Sequence, residues 1–122
     1  MTERLYVSCA DARAIEILDL DDAGMLHRHA TVPVPGPQGD GMSMPLALSA
    51  DRSRLYAAIR AAPYPLASFA VAGDGGLALL GSTDLPASMA YISVAGRHVL
   101  SASYPASLIA SDNEIPQMSE AA

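Results

Sequence analysis

Arg4-Leu5-Tyr6-Val7-Ser8 returns 50 residues later as Arg54-Leu55-Tyr56-Ala57-Ala58. The segments after the two copies also match. A polar or proline-broken loop leads into an apolar run, Ala14 to Leu20 in one copy and Leu66 to Val71 in the other. A glycine turn comes next, Asp22-Ala23-Gly24-Met25-Leu26 against Asp74-Gly75-Gly76-Leu77. A weaker third copy begins at His98-Val99-Leu100-Ser101-Ala102, with Val99 placed 44 residues after Leu55. A period of about 40–50 residues built from short strands marks the blade of a β-propeller. The expected fold class is all-β, a propeller fragment of about two blades, each a four-stranded antiparallel meander. Propellers close with about four to eight blades, so 122 residues read as part of a longer protein.

Short β-capable runs bounded by turn residues place the strands. The first three are Arg4 to Cys9, Ala14 to Leu20 and Met25 to Val34. Pro33, Pro35 and Pro37, with Gly36, Gly39 and Gly41, then forbid regular structure, because proline lacks the ladder donor. A full set resumes with Pro45 to Ser49, a tight turn over Ala50 to Ser53, and strands at Arg54 to Ile59, Leu66 to Val71 and Leu77 to Asp84. The next set opens with Ala90 to Val94 and His98 to Tyr104. The window Ala50 to Ala62 is rich in helix-forming alanine, yet its repeat partner at Arg4 argues for strand. The organisation expected is an incomplete blade over 4–34, a complete blade over 45–84, the start of a third over 90–111, and a disordered tail over 112–122. That tail, Asp112-Asn113-Glu114-Ile115-Pro116-Gln117 onward, is polar and patternless.

Composition removes several function classes. Net charge is −6 and all seven positive charges are arginine. Without basic clusters the chain is a poor partner for nucleic acid. Without lysine it has no Schiff-base chemistry. The single cysteine, Cys9, can form neither an internal disulfide nor a cysteine metal cage, and reads as a small buried apolar residue. No apolar run is long enough to span a membrane, and no basic stretch followed by a long apolar run is seen near Met1, so no signal peptide is expected. A cytoplasmic location is expected. His27 and His29 share one strand face, as a metal pair would, but no third ligand stands at a convincing spacing. They read as solvent-facing side chains on an outer strand. Neither metal nor cofactor is expected. Asp51 reads as the cap of its own turn.

The stretch Leu48-Ser49-Ala50-Asp51-Arg52-Ser53-Arg54-Leu55-Tyr56 resembles the inner-strand and turn motif of bacterial propeller lactonases. The resemblance continues through Ile59-Arg60, Phe69-Ala70-Val71, Asp74-Gly75-Gly76-Leu77, Pro86-Ala87-Ser88 and Ser103-Tyr104. In order and spacing the run is similar to the first third of the cytoplasmic 6-phosphogluconolactonases of the seven-bladed type, over about residues 4 to 110. The resemblance implies hydrolysis of a phosphorylated sugar lactone as the small-molecule partner, 6-phosphogluconolactone to 6-phosphogluconate in carbohydrate metabolism. The departure from the family lies at Pro105-Ala106-Ser107, where its members carry a glycine- or asparagine-containing turn.

In a propeller, the loops joining the second to the third strand of a blade, and each blade to the next, meet at one end of the channel. Candidate substrate-binding residues follow from that placement. Arg60 ends a second strand there and matches an arginine of the family; a guanidinium suits a phosphate. The competing reading is a solvated arginine or one paired with a carboxylate. Ser103 and Tyr104 occupy the equivalent place one blade on, where the tyrosine either donates to a sugar oxygen or packs in the core. Arg13 is a further anion contact, and Tyr64 either walls the pocket or stiffens its loop. No residue is placed as the general base that water attack on a lactone requires, so the catalytic residues are unassigned. A different class of function stays open: a non-catalytic propeller module for binding or scaffolding, or an inactive truncated product. Exposed blade faces would then favour self-association.

Overall fold

The computed structural model describes residues 3–38, 43–103, 108–112 and 118–121. Eleven strands form three antiparallel sheets, and no helix occurs among the described residues. The first sheet holds β1 (Glu3–Cys9), β2 (Ala14–Leu20) and β3 (Leu26–Pro33). The second holds β4 (Leu46–Leu48), β5 (Arg54–Ala58), β6 (Pro65–Val71) and β7 (Leu77–Asp84). The third holds β8 (Tyr91–Ala95), β9 (His98–Ala102), β10 (Leu108–Asp112) and β11 (Met118–Ala121). Each sheet is a meander in which chain neighbours pair, the arrangement of a propeller blade.

Local chemistry sets the turns. Gly24 and Gly75 hold the left-handed residue of the β2–β3 and β6–β7 turns, at φ +83° and +84°. That conformation is costly for any residue with a Cβ. Between β4 and β5 the Asp51 carboxylate organises the turn. It accepts from the Ser53 hydroxyl at 2.7 Å, the Ser53 amide at 3.0 Å and the Ser49 hydroxyl at 2.8 Å. These bonds favour the ionised form and hold the Asp51 carboxyl down to about 2. The sequence-based reading of Asp51 as a turn cap matches this geometry.

Strand periodicity explains the core. Leu55, Ala57 and Ile59 point to one face of the second sheet; Tyr56 and Ala58 point to the other. The first face packs with Ile15 of β2, Val34, Met44 and Phe69. The second packs with Leu66, Leu85, Met89, Ile92 of β8 and Val99 of β9. The middle sheet is thus buried on both sides, which is why β5 is a nearly unbroken apolar run. Each leucine, isoleucine or phenylalanine so buried contributes about 1.5–3 kcal/mol.

The repeated Arg-Leu-Tyr has a structural meaning at the first junction. Tyr6 donates its hydroxyl to the Gly75 carbonyl at 2.7 Å. Arg4 donates to the Asp74 carbonyl through Nη1 and to Asp19 Oδ1, 2.5 Å away, through Nε. The first sheet therefore grips the β6–β7 turn of the second. A Cβ on Gly75 would run into the Arg4 guanidinium. Burial raises the Tyr6 phenol above its ordinary 10.0, opposed by Arg4 and reinforced by Asp74.

The two copies differ by one residue. Arg4 and Arg54 are 50 apart, but from the following loop onward equivalent positions are 51 apart. Arg13 and Tyr64 both have positive φ, and each carbonyl accepts from the residue that follows its outermost strand, Val34 or Leu85. Bulges at Ile17/Leu18 and Ser68/Phe69 keep the same offset. The extra residue of the second copy falls at Ile59-Arg60.

One expectation requires correction. The third sheet does not stop at residue 111 before a disordered tail. Strand β10 runs through Asp112, and Met118–Ala121 forms β11 on its far side, pairing Leu108 with Ala121 and Ser111 with Met118. Backbone amides and carbonyls make this ladder whatever the side chains are. An outermost strand with a single neighbour needs no apolar alternation.

Candidate binding site at the loop end

Several connections, as far as they are described, meet the same end of the sheets. The β1–β2 and β5–β6 connections are joined there by the links from β3 to β4 and from β7 to β8. Arg60 leaves β5 at this end. Its neighbour Ile59 is buried in the core and donates its amide to the Pro65 carbonyl at 2.9 Å, which fixes the backbone from which Arg60 projects. The half-buried Arg60 side chain spans two links. Nε donates to Ser88 Oγ at 2.9 Å and Nη1 donates to Ser43 Oγ at 3.1 Å. No carboxylate pairs with it among the described residues. Among the described residues the guanidinium is held by two neutral hydroxyl partners.

Arg13 reaches the same β3–β4 link from the other side. Its Nη1 donates to the Gly36 carbonyl, while its buried Nε has no partner among the described residues. Gly36, at φ +148°, lies so close to the second sheet that a Cβ would stand 2.5 Å from Ile59 Cδ1 and 2.9 Å from Pro65 Cγ. Two arginines thus touch one loop near its two ends. Tyr64 is half-buried against the second core cluster, and its carbonyl accepts from the Leu85 amide at 2.8 Å. Ser103 follows β9, half-buried. Tyr104 lies outside the described residues.

Sequence reasoning gave no role to Ser43 or Ser88. Ser88 stood within a quoted motif; nothing in the sequence marks Ser43. The histidines lie elsewhere. His27 meets Asp21 at 2.8 Å and His29 meets Asp19 at 3.5 Å, all on the first sheet, and no group among the described residues could hold a metal ion. Cys9 is a half-buried free thiol. A separate groove, lined by Ser49, Asp51, Arg54, Val94 and Arg97, lies at the opposite end, between the turns of the second and third sheets. No described helix is long and apolar enough to cross a membrane.

Comparison with known proteins accords with this architecture. The family model "Lactonase, 7-bladed beta-propeller" matches residues 4–113. The 6-phosphogluconolactonases of Serratia proteamaculans (strain 568) and Yersinia pestis (strain Pestoides F) are each 35% identical over 106 residues. The match takes in 85% of this chain and 30% of each relative, so the chain spans about a third of their length. The solved periplasmic gluconolactonase of Pseudomonas aeruginosa superposes with a TM-score of 0.75 at 21% identity, over 96% of this chain and 35% of that one. With three successive sheets packed blade against blade and the repeat carried through all of them, the chain belongs to the seven-bladed β-propeller lactonase family.

Proposed function

We propose that these blades form the phosphate-recognising part of a cytoplasmic lactone hydrolase acting on 6-phosphogluconolactone. The reaction adds water to the lactone carbonyl and breaks the ring C–O bond, giving the carboxylate and hydroxyl of 6-phosphogluconate. The observation that carries the reading is Arg60, seated where two inter-blade links meet and held by two serine hydroxyls. A permanently charged, planar donor in that setting suits a dianionic phosphate. Arg13, on the other side of the β3–β4 link, adds positive potential, and Ser103, just after β9, supplies the equivalent edge one blade on. The base that activates water belongs, in this reading, to the blades of the longer relatives that this chain does not span.

The test compares 6-phosphogluconate with gluconate as ligands of the chain, by calorimetry. The phosphorylated acid is expected to bind more tightly, and Arg60→Ala is expected to remove the difference. Equal affinity for both acids in the unaltered chain would refute the assignment of Arg60.

A further inference from the structure

We infer that Ser43 and Ser88 are positioning residues that set the Arg60 guanidinium in advance for a phosphate oxoanion; the inference rests on the reading of Arg60 as an anion contact. A guanidinium has five N–H donors in a fixed plane. Ser88 Oγ accepts from Nε at 2.9 Å and Ser43 Oγ from Nη1 at 3.1 Å. Those two contacts fix both the plane and the rotation of the group. The two N–H bonds of Nη2 have no acceptor among the described residues and are the donors assigned to a ligand.

The choice of hydroxyl partners matters. A carboxylate in either place would hold the guanidinium but neutralise it, and an incoming phosphate would have to compete with that pair. A hydroxyl orients without cancelling charge. The two serines also come from links on either side of the second sheet, one before β4 and one before β8. Arg60 is therefore fixed relative to two blade junctions at once. A free arginine side chain loses rotamer entropy when it is fixed, and ordering it before the ligand arrives removes that cost from binding. Ser88 is half-buried and Ser43 exposed, so Ser88 is the stronger support.

The chain is labelled with ¹⁵N arginine, and the Arg60 Nε–H resonance is followed while inorganic phosphate is added. A saturable shift is expected in the unaltered chain. Ser88→Ala is expected to weaken phosphate binding about fivefold or more, Ser43→Ala less, and Ser88→Thr to restore most of it by returning the hydroxyl. Should Ser88→Ala lose its folded spectrum, Ser88→Cys carries the same comparison, since a thiol is a poor acceptor of nearly the same size. Phosphate affinity unchanged in Ser88→Ala, or in Ser88→Cys, overturns the positioning role and leaves the Arg60 reading standing. No saturable response in the unaltered chain overturns both.

Discussion

Replacing Gly36 by alanine would drive a methyl group into the seam between the first two sheets. Two independent costs arise from the geometry. Gly36 sits at φ +148°, a conformation that residues with a Cβ adopt at about 1–3 kcal/mol. The new Cβ would also stand 2.5 Å from Ile59 Cδ1 and 2.9 Å from Pro65 Cγ, inside van der Waals contact. Overpacking of that kind costs about 1–3 kcal/mol. The expected loss is therefore about 2–6 kcal/mol, measured by urea unfolding with the slope unchanged. The two costs can be separated, because Ile59→Val removes the atom most at fault. Ile59 Cγ1, 3.7 Å away, stays in ordinary contact. Alone, Ile59→Val should cost about 0.5–1.5 kcal/mol. Together the two changes should cost less than their sum, with a coupling of about 0.5–2 kcal/mol. The backbone strain and the Pro65 contact would persist. A loss under about 1 kcal/mol for Gly36→Ala, set against the strain cost alone, would refute the reasoning. Strict additivity in the pair would show that Ile59 is not the obstacle.

Two further predictions concern the turns. Tyr6→Phe removes the hydroxyl that bonds the Gly75 carbonyl and should lower stability by about 0.5–1.5 kcal/mol in the same unfolding assay. The raised Tyr6 pKa carries a sign: its contribution is complete below the ordinary phenol value of 10.0 and is lost as pH rises through the higher folded value. The phenylalanine variant should accordingly lose less stability than the tyrosine protein above that pH. Asp51 acts in the opposite sense, since its folded pKa lies at about 2 against an ordinary 3.8. Its contribution is complete above the ordinary value and disappears as pH falls towards 2. A thermal-melting series from pH 5 to 2 should show a steeper acid loss for the unaltered chain than for Asp51→Asn; parallel curves would count against the cap.

The strands of the first two sheets were legible because their repeat is written in side chains that the fold buries. β2 and β7 have the bounds that the pattern predicted, Ala14–Leu20 and Leu77–Asp84, and the others differ at their ends by a residue or two. The last two strands were not legible, because their ladder is made by backbone groups and the tail offers no alternation. Pro33 closes β3 without penalty because β3 is outermost and its free side needs no donor. For the site, the sequence singled out Arg60 by its position at a strand end. It could not show that Ser43 and Ser88, which lie 17 and 28 residues away along the chain, reach its guanidinium. Nor could it show the grip of Arg4 and Tyr6 on a turn some 70 residues on. Contacts of such long range are created by closing one blade on the next and leave no local mark.

The bulges in the outermost strands bear on how these sheets can grow. At Ile17/Leu18 and Ser68/Phe69 the outer strand carries one residue too many, leaving His29 and Leu80 out of the pairing register. An edge so interrupted twists away and presents no continuous row of donors and acceptors to a foreign strand. β1 differs: all seven of its residues, Glu3 to Cys9, pair with β2 in unbroken register, and its other side forms the inner edge of a three-stranded sheet. The rim of each of the first two blades is thus closed to strand addition, while the axial side of the first keeps a regular template. Strand addition to that sheet is directed to the β1 side and discouraged along β3.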